Sequence, residues 1–185
     1  MEFTLKKIEY SERMSEETSC YYAELYIDGV KVAYVKNEGT GGETCIRPYN
    51  VGYRDIIEKA EAYLREQPEK EQGFDGHKYM HRDSLEDVCD NLLYDWLKEK
   101  DVRKFRNKLL KDQEKNICIG IPDQEYSMYK MNTPFAKVFS TPSYRAAFIK
   151  NLRDLKRAGK IDGKRKILNT NIPQDIIDEA LNGDT

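Results

Sequence analysis

From Ser84 onward, Leu85, Val88, Cys89, Leu92, Leu93, Trp96 and Leu97 recur at helical spacing and make one apolar stripe. Ser84 and Asp87 stand at capping-box spacing, which sets the start of the helix. Beyond the charged stretch Lys98-Glu99-Lys100-Asp101 the apolar residues are Val102, Phe105 and Leu109. At about 100° per residue, Phe105 lies about 180° from Trp96. A straight helix cannot press both stripes against one surface. Either it breaks near Lys100, or its second half meets something other than the partner of its first. On that second reading Phe105 and Leu109 offer a face for another protein or for a second copy of the chain.

The residues before this helix read as a sheet. Phe3 to Tyr10 alternates loosely, and Cys20 to Ile27 is aromatic and β-branched. Asp28-Gly29 is a hairpin signal, since a type I′ turn needs positive φ at both central positions. Val30 to Lys36 returns as the partner strand, and Asn37 to Gly42 leads to a short strand near Glu43 to Arg47. Ile56, Ile57, Ala60, Tyr63 and Leu64 then form the stripe of a helix over Tyr53 to Gln67, stopped by Pro68. Residues 68–82 read as a charged connection. After the long helix, Asn116 to Pro122 reads as a buried strand, with Tyr126 to Met131 as its partner. Thr141-Pro142 starts a helix that Gly159 closes, with Thr141 as N-cap. Ile161 to Asn171 reads as a basic link, and Pro173 to Leu181 as a last short helix. The expected fold is α+β: an N-terminal antiparallel sheet packed by a helix, then a mostly helical, basic C-terminal half. The expected division is 1–82 and 83–185, the latter with a short β-hairpin and continuous with the former if the two share one core.

Composition supports long solvated helices. Of the 185 residues, 39% are hydrophobic and 35% charged, a lean core for a chain long enough to fold without a staple. No uncharged run is long enough to span a membrane, and no basic-then-apolar leader opens the chain. Cys20, Cys45, Cys89 and Cys118 are far apart, with no C-x-x-C pair. Reduced cysteines in a cytoplasmic protein are therefore expected, with Cys89 and Cys118 buried. The net charge of −2 conceals strong asymmetry. Residues 54–95 carry twelve acids against six bases, whereas 145–166 carry nine bases against two acids. A basic face that attracts phosphate is thus set against an acidic face that limits where it can land.

Several groupings invite a chemical reading. His77 and His81 are four apart, a metal pair if helical, but they precede the helix cap and follow two glycines; surface loop histidines are expected. Gly39-Thr40-Gly41-Gly42 could cradle an anion. A strand follows it where a phosphate loop would have a helix, so a flexible hairpin loop is the better reading. Tyr22 and Tyr26 share a strand face that Tyr34 can join across the turn, either as a base-stacking surface or as core rings with hydroxyls at the rim. The basic stretches are the stronger lead. Arg103, Lys104, Arg106 and Lys108 lie on the long helix; Lys150, Arg153, Lys156, Arg157, Lys160, Lys164, Arg165 and Lys166 lie further on. Such density suits sequence-independent phosphate contacts, against the plainer reading of solvated helix faces. No nucleophile motif emerges, and neither catalysis, a cofactor nor a metal is expected.

The run Ala23-Glu24-Leu25-Tyr26-Ile27-Asp28-Gly29-Val30-Lys31-Val32-Ala33, followed by Asn37-Glu38-Gly39-Thr40-Gly41-Gly42, resembles the opening of small orphan proteins carried by phages and mobile elements of Bacteroidota. The resemblance covers about the first third of the chain. It implies an accessory binding role, such as the inhibition of host defence by anti-CRISPR proteins, and carries no catalytic residue with it. The sequence thus leads to a non-catalytic cytoplasmic binder of RNA, DNA or a nucleoprotein complex through residues 98–115 and 145–166. In the inhibitor version it would occupy a charged channel of an RNA-guided nuclease. The alternatives are a protein–protein module, dimeric through Phe105 and Leu109, and a small hydrolase using unassigned carboxylates.

Overall fold

The computed structural model describes residues 1–74 and 76–183. They form an α+β protein of two compact units, 1–98 and 99–185.

The first unit is built on a four-stranded antiparallel sheet of β1 (Phe3–Tyr10), β2 (Tyr21–Ile27), β3 (Val30–Asn37) and β4 (Cys45–Pro48), in that order. The period of two in β2 decides its faces. Tyr21, Ala23, Leu25 and Ile27 turn inward, whereas Tyr22 and Tyr26 turn to the opposite side. The β2–β3 turn has the expected chemistry, with φ of 47° at Asp28 and 80° at Gly29. Two bulges break the ladder, one in β1 between Lys6 and Glu9 and one in β3 beside Lys31. Lys7 sits in the β1 bulge at φ 50°. The inward face is covered by α1 (Arg54–Arg65) and by the start of α2 (Leu85–Asp112), through Ala60, Leu64, Leu85, Cys89 and Leu93.

Around Gly39 the connection is tied down instead of forming an open hairpin loop. The Gly39 carbonyl accepts the backbone N–H groups of Glu16, Glu17 and Thr18. The Asn37 side chain accepts from Gly39 N–H and donates to Gly42 O and to Thr44. A Cβ at position 39 would stand 2.2 Å from Met14 O, so glycine is required there.

The expected connection over 68–82 is corrected: it is a β-hairpin of β5 (Lys70–Phe74) and β6 (His77–His81). Its residues carry no alternating apolar pattern, because polar pairs across the strands hold it: Lys78 to Glu71 at 2.7 Å and the Tyr79 hydroxyl to Gln72 at 3.2 Å. His77 and His81 therefore lie on a strand, not in a loop. At about 3.3 Å per residue their Cα atoms are about 13 Å apart, too far to share a metal. His81 instead reaches Asp87 at 3.2 Å.

The long helix does not break. Ser84 caps it reciprocally with Asp87: Asp87 N–H donates to the Ser84 hydroxyl at 3.1 Å, and Ser84 N–H to the Asp87 carboxylate at 2.8 Å. The Asp87 carboxyl lies below its usual range; partial burial works against this, but the Ser84 and His81 hydrogen bonds outweigh it.

The second half of α2 enters the second unit, where β7 (Asn116–Ile121) is the centre of a sheet ordered β8 (Glu125–Lys130), β7, β9 (Lys166–Ile167). Phe105 packs edge-on against Tyr126 at 5.2 Å, and the Tyr126 hydroxyl donates to Asp112 at 2.6 Å. The Phe105 and Leu109 face, expected to serve a partner or a second copy, is half-buried within its own unit. Ile117 and Ile119 join the core formed with α3 (Phe135–Ser140), α4 (Pro142–Arg157) and α5 (Gln174–Asn182).

Helix α3 and strand β9, each too short to set a pattern, were not expected. Thr141 precedes α4 as expected, but its side chain makes no capping bond; Pro142 alone marks the start. Gly159, at φ 69°, ends α4 in a Schellman arrangement, with Gly159 N–H on Lys156 O and Lys160 N–H on Leu155 O.

A buried amide pair joins the end of α2 to the segment after β9. Asn169 accepts from Cys118 N–H at 2.6 Å and donates to Asn116 O at 2.9 Å, while Gln113 accepts from Thr170 N–H at 2.8 Å. Asn169→Ala orphans a buried N–H and removes a carbonyl's partner. It should cost about 2–4 kcal/mol in urea unfolding, at about 1–3 kcal/mol per unsatisfied group; a loss below about 1 kcal/mol would mean that the pair is dispensable.

Candidate nucleic-acid interface

The basic residues of α4 divide by the side of the helix they occupy. Arg145 pairs with Asp175 at 3.0 Å and with Glu179 at 3.1 Å. Arg153 donates from Nη2 to Glu179 O at 3.0 Å, and Lys156 donates to Leu181 O. Helix α5 has no basic residue in its last turn, so its final carbonyls and the negative end of its dipole are met by cations of α4. Arg153 and Lys156 thus close the core of the second unit. Lys150 and Arg157 point away from that core, Arg157 with Asp154 at 3.7 Å and Lys150 without a carboxylate within 4 Å among the described residues.

Lys160, Lys164, Arg165 and Lys166 are gathered by one turn. Ile161 is buried beneath it, and the Asp162 carboxylate accepts the N–H groups of Lys164 at 2.7 Å and Arg165 at 2.6 Å. Those two bonds, Arg165's first, hold the Asp162 carboxyl below its usual range. The one acid inside this turn is therefore engaged with backbone, and the four cationic side chains are exposed with no ion pair among the described residues. Lys160 and Arg165 line a cavity of about 240 Å³ together with Glu125, Tyr126, Ser127 and Tyr129.

On the second half of α2 the cations are mostly engaged. Arg106 grips Asp123 with two bonds of 2.8 and 2.6 Å, Lys104 lies 3.3 Å from Asp101, and Lys108 stands 6.0 Å from the Tyr126 ring centre. Arg103 is exposed.

The first unit presents a different surface. The sheet face away from α1 carries Tyr22 stacked on Tyr34 at 6.0 Å, with Tyr49 edge-on to Tyr34 at 5.5 Å. Tyr22 is 38% and Tyr49 37% exposed. Lys6 lies 4.2 Å over the Tyr26 ring and Lys31 4.2 Å over Tyr49, while Arg47 stands opposite Tyr34 in the ladder. Beneath these rings Glu24, 6% exposed, accepts from Lys31 at 2.6 Å and from Lys7 at 3.1 Å. The β1 bulge aims Lys7 at it. Alternation along β2 and β3 made Tyr22, Tyr26 and Tyr34 visible in the sequence. Lys6, Arg47 and Tyr49 join them only through strand pairing.

A cleft of about 620 Å³ lies between β4, α1 and the start of α2 and is rimmed by Glu43, Glu61, Asp83 and Glu86. Burial, then the charges of Glu43 and Asp90, raise the Glu86 carboxyl. No three His, Cys, Asp or Glu side chains among the described residues are gathered to hold a metal. Cys89 and Cys118 are buried thiols, pushed up to about 12 and about 11 chiefly by burial. No described helix is long and apolar enough to cross a membrane.

Two measurements separate the structural charges from the displayed ones. Arg153→Ala removes the partner of Glu179 O and should cost about 1–3 kcal/mol in stability, without weakening any oligonucleotide complex. A loss of affinity at unchanged stability would place Arg153 in the interface instead. The Lys31 hydrogen bond, opposed by desolvation and helped by Lys7, lowers the Glu24 carboxyl from about 4.5 to about 2. Its folded value lies below its unfolded one, so the contribution is complete above about pH 4.5 and disappears as pH falls towards 2. Unfolding of Glu24→Gln should accordingly depend less on pH across that window than unfolding of the wild type; equal slopes would rule the lysine pairing out. No protein-family profile, curated protein or solved structure matches the chain.

Proposed function

We propose that this chain is a non-catalytic binding protein for nucleic acid, free or within a nucleoprotein complex, and that the turn from Lys160 to Lys166 makes its phosphate contacts. The observation that carries the reading is the state of Asp162. Its carboxylate is turned onto backbone N–H groups and forms no ion pair, so Lys160, Lys164, Arg165 and Lys166 stay exposed as four bases against that one acid in the turn, although its charge still acts on Lys164 and Arg165. Phosphate oxygens are the complementary ligand for such a cluster, and counterion release makes the affinity salt-dependent. Lys150 and Arg157 extend the same charge along α4.

The accessory role implied by the N-terminal resemblance fits within this reading. An inhibitor of an RNA-guided nuclease would meet the guide or target strand through this turn. The dimeric alternative through Phe105 and Leu109 has less surface to offer, since Phe105 packs on Tyr126 and both residues are half-buried.

The test is binding of a short labelled DNA duplex and of an RNA hairpin at rising salt. Wild-type affinity should fall steeply between about 50 and 200 mM salt. The triple variant Lys160→Glu, Lys164→Glu, Arg165→Glu should bind at least tenfold more weakly, with a salt slope shallower by about three. Undiminished affinity in the triple variant would refute the assignment.

A further inference from the structure

We propose that the open face of the four-stranded sheet is a stacking platform for the unpaired bases of single-stranded nucleic acid. This surface belongs to the first unit and is separate from the Lys160–Lys166 turn, so it goes beyond the phosphate-binding reading.

The arrangement across the strands carries the inference. Lys6 lies on one outer strand and Arg47 on the other, with Tyr22, Tyr26 and Tyr34 on the two strands between. At about 4.8 Å between neighbours, the outer strands stand about 14 Å apart. Rings therefore occupy the inner strands around Glu24, with Lys6 and Arg47 at the two margins. Neither Lys6 nor Arg47 has a carboxylate within 4 Å among the described residues, whereas Lys36 is paired with Glu38 at 2.7 Å. A strand of nucleic acid has the matching form: flat bases with π faces along a line of phosphates.

The same face is poorly suited to a protein. The positions that alternate onto it are tyrosine, lysine, arginine, glutamate, threonine and cysteine, with no leucine, isoleucine, valine or phenylalanine. A protein interface of this size would have an apolar centre. Here the centre is Glu24, held by Lys7 and Lys31 and neutralised by them. Lys6 lies over the Tyr26 ring and Lys31 over that of Tyr49, yet Tyr22 and Tyr49 remain more than one-third exposed although each touches a neighbouring ring. A duplex hides its base faces within its own stack and cannot use such a platform; an unpaired strand can.

The experiment is fluorescence anisotropy of the full chain with labelled oligo(dT), oligo(U) and a DNA duplex. Wild type should prefer the single strands. Tyr22→Ala with Tyr49→Ala should weaken both single-stranded complexes about tenfold or more while leaving the duplex complex unchanged. Both side chains are exposed, and unaltered circular dichroism and thermal melting would verify the fold. Lys6→Glu with Arg47→Glu, which keeps all the tyrosine rings and reverses only the flanking charges, should weaken the same single-stranded complexes. Equal affinity of wild type for single strands and duplex, or wild-type single-strand binding by both double variants, overturns this inference and leaves the turn's role standing. Binding of none of the three probes overturns both.

Discussion

The apolar side of one helix changes partway along its length, and its two halves belong to different compact units. Leu85, Cys89 and Leu93 complete the core beneath the first sheet, whereas Phe105 meets Tyr126 in the second unit. The charged residues 98–101 are where one stripe ends and the other begins. A helix can change its apolar side in this way because its backbone bonds are internal and do not dictate which side the apolar side chains take. The cap at Ser84 fixes the start and hence the phase of everything that follows.

That helix also shows what could be read from the sequence. The half-turn between Trp96 and Phe105 was visible as arithmetic, and so was the choice it posed; the structure takes the unbroken helix. The Asp28-Gly29 hairpin, the α1 stripe, the β7–β8 pair and the Gly159 stop were legible because each depends on local chemistry or on a regular period. The β5–β6 hairpin was not, since polar cross-strand pairs and a backbone ladder hold it without a buried side. Strand β9 was hidden inside a run of basic residues because two residues carry no pattern. It forms only through pairing of Ile167 with Ile119 and of Lys166 with Gly120.

Charge was legible in amount but not in allocation. Nine bases between 145 and 166 announce a basic segment, and periodicity distinguishes the outward from the inward side of α4. It cannot show that α5, lacking a terminal cation of its own, draws Arg153 and Lys156 to its carbonyls. Nor does it show that Asp162 folds back on the turn it belongs to, leaving the neighbouring cations to solvent. On the tyrosine face the rings were foreseeable, but the basic margins were not. Lys6 and Arg47 are forty-one positions apart and come to opposite rims only when the strand order is fixed.

The irregularity at Lys7 reaches beyond aiming one lysine at Glu24. It interrupts β1, an outer strand, while the opposite outer strand β4 is only four residues long and ends in Pro48. A kinked rim and a proline-stopped rim are both poor templates for an incoming strand. The sheet is thereby guarded along both rims against edge-to-edge polymerisation.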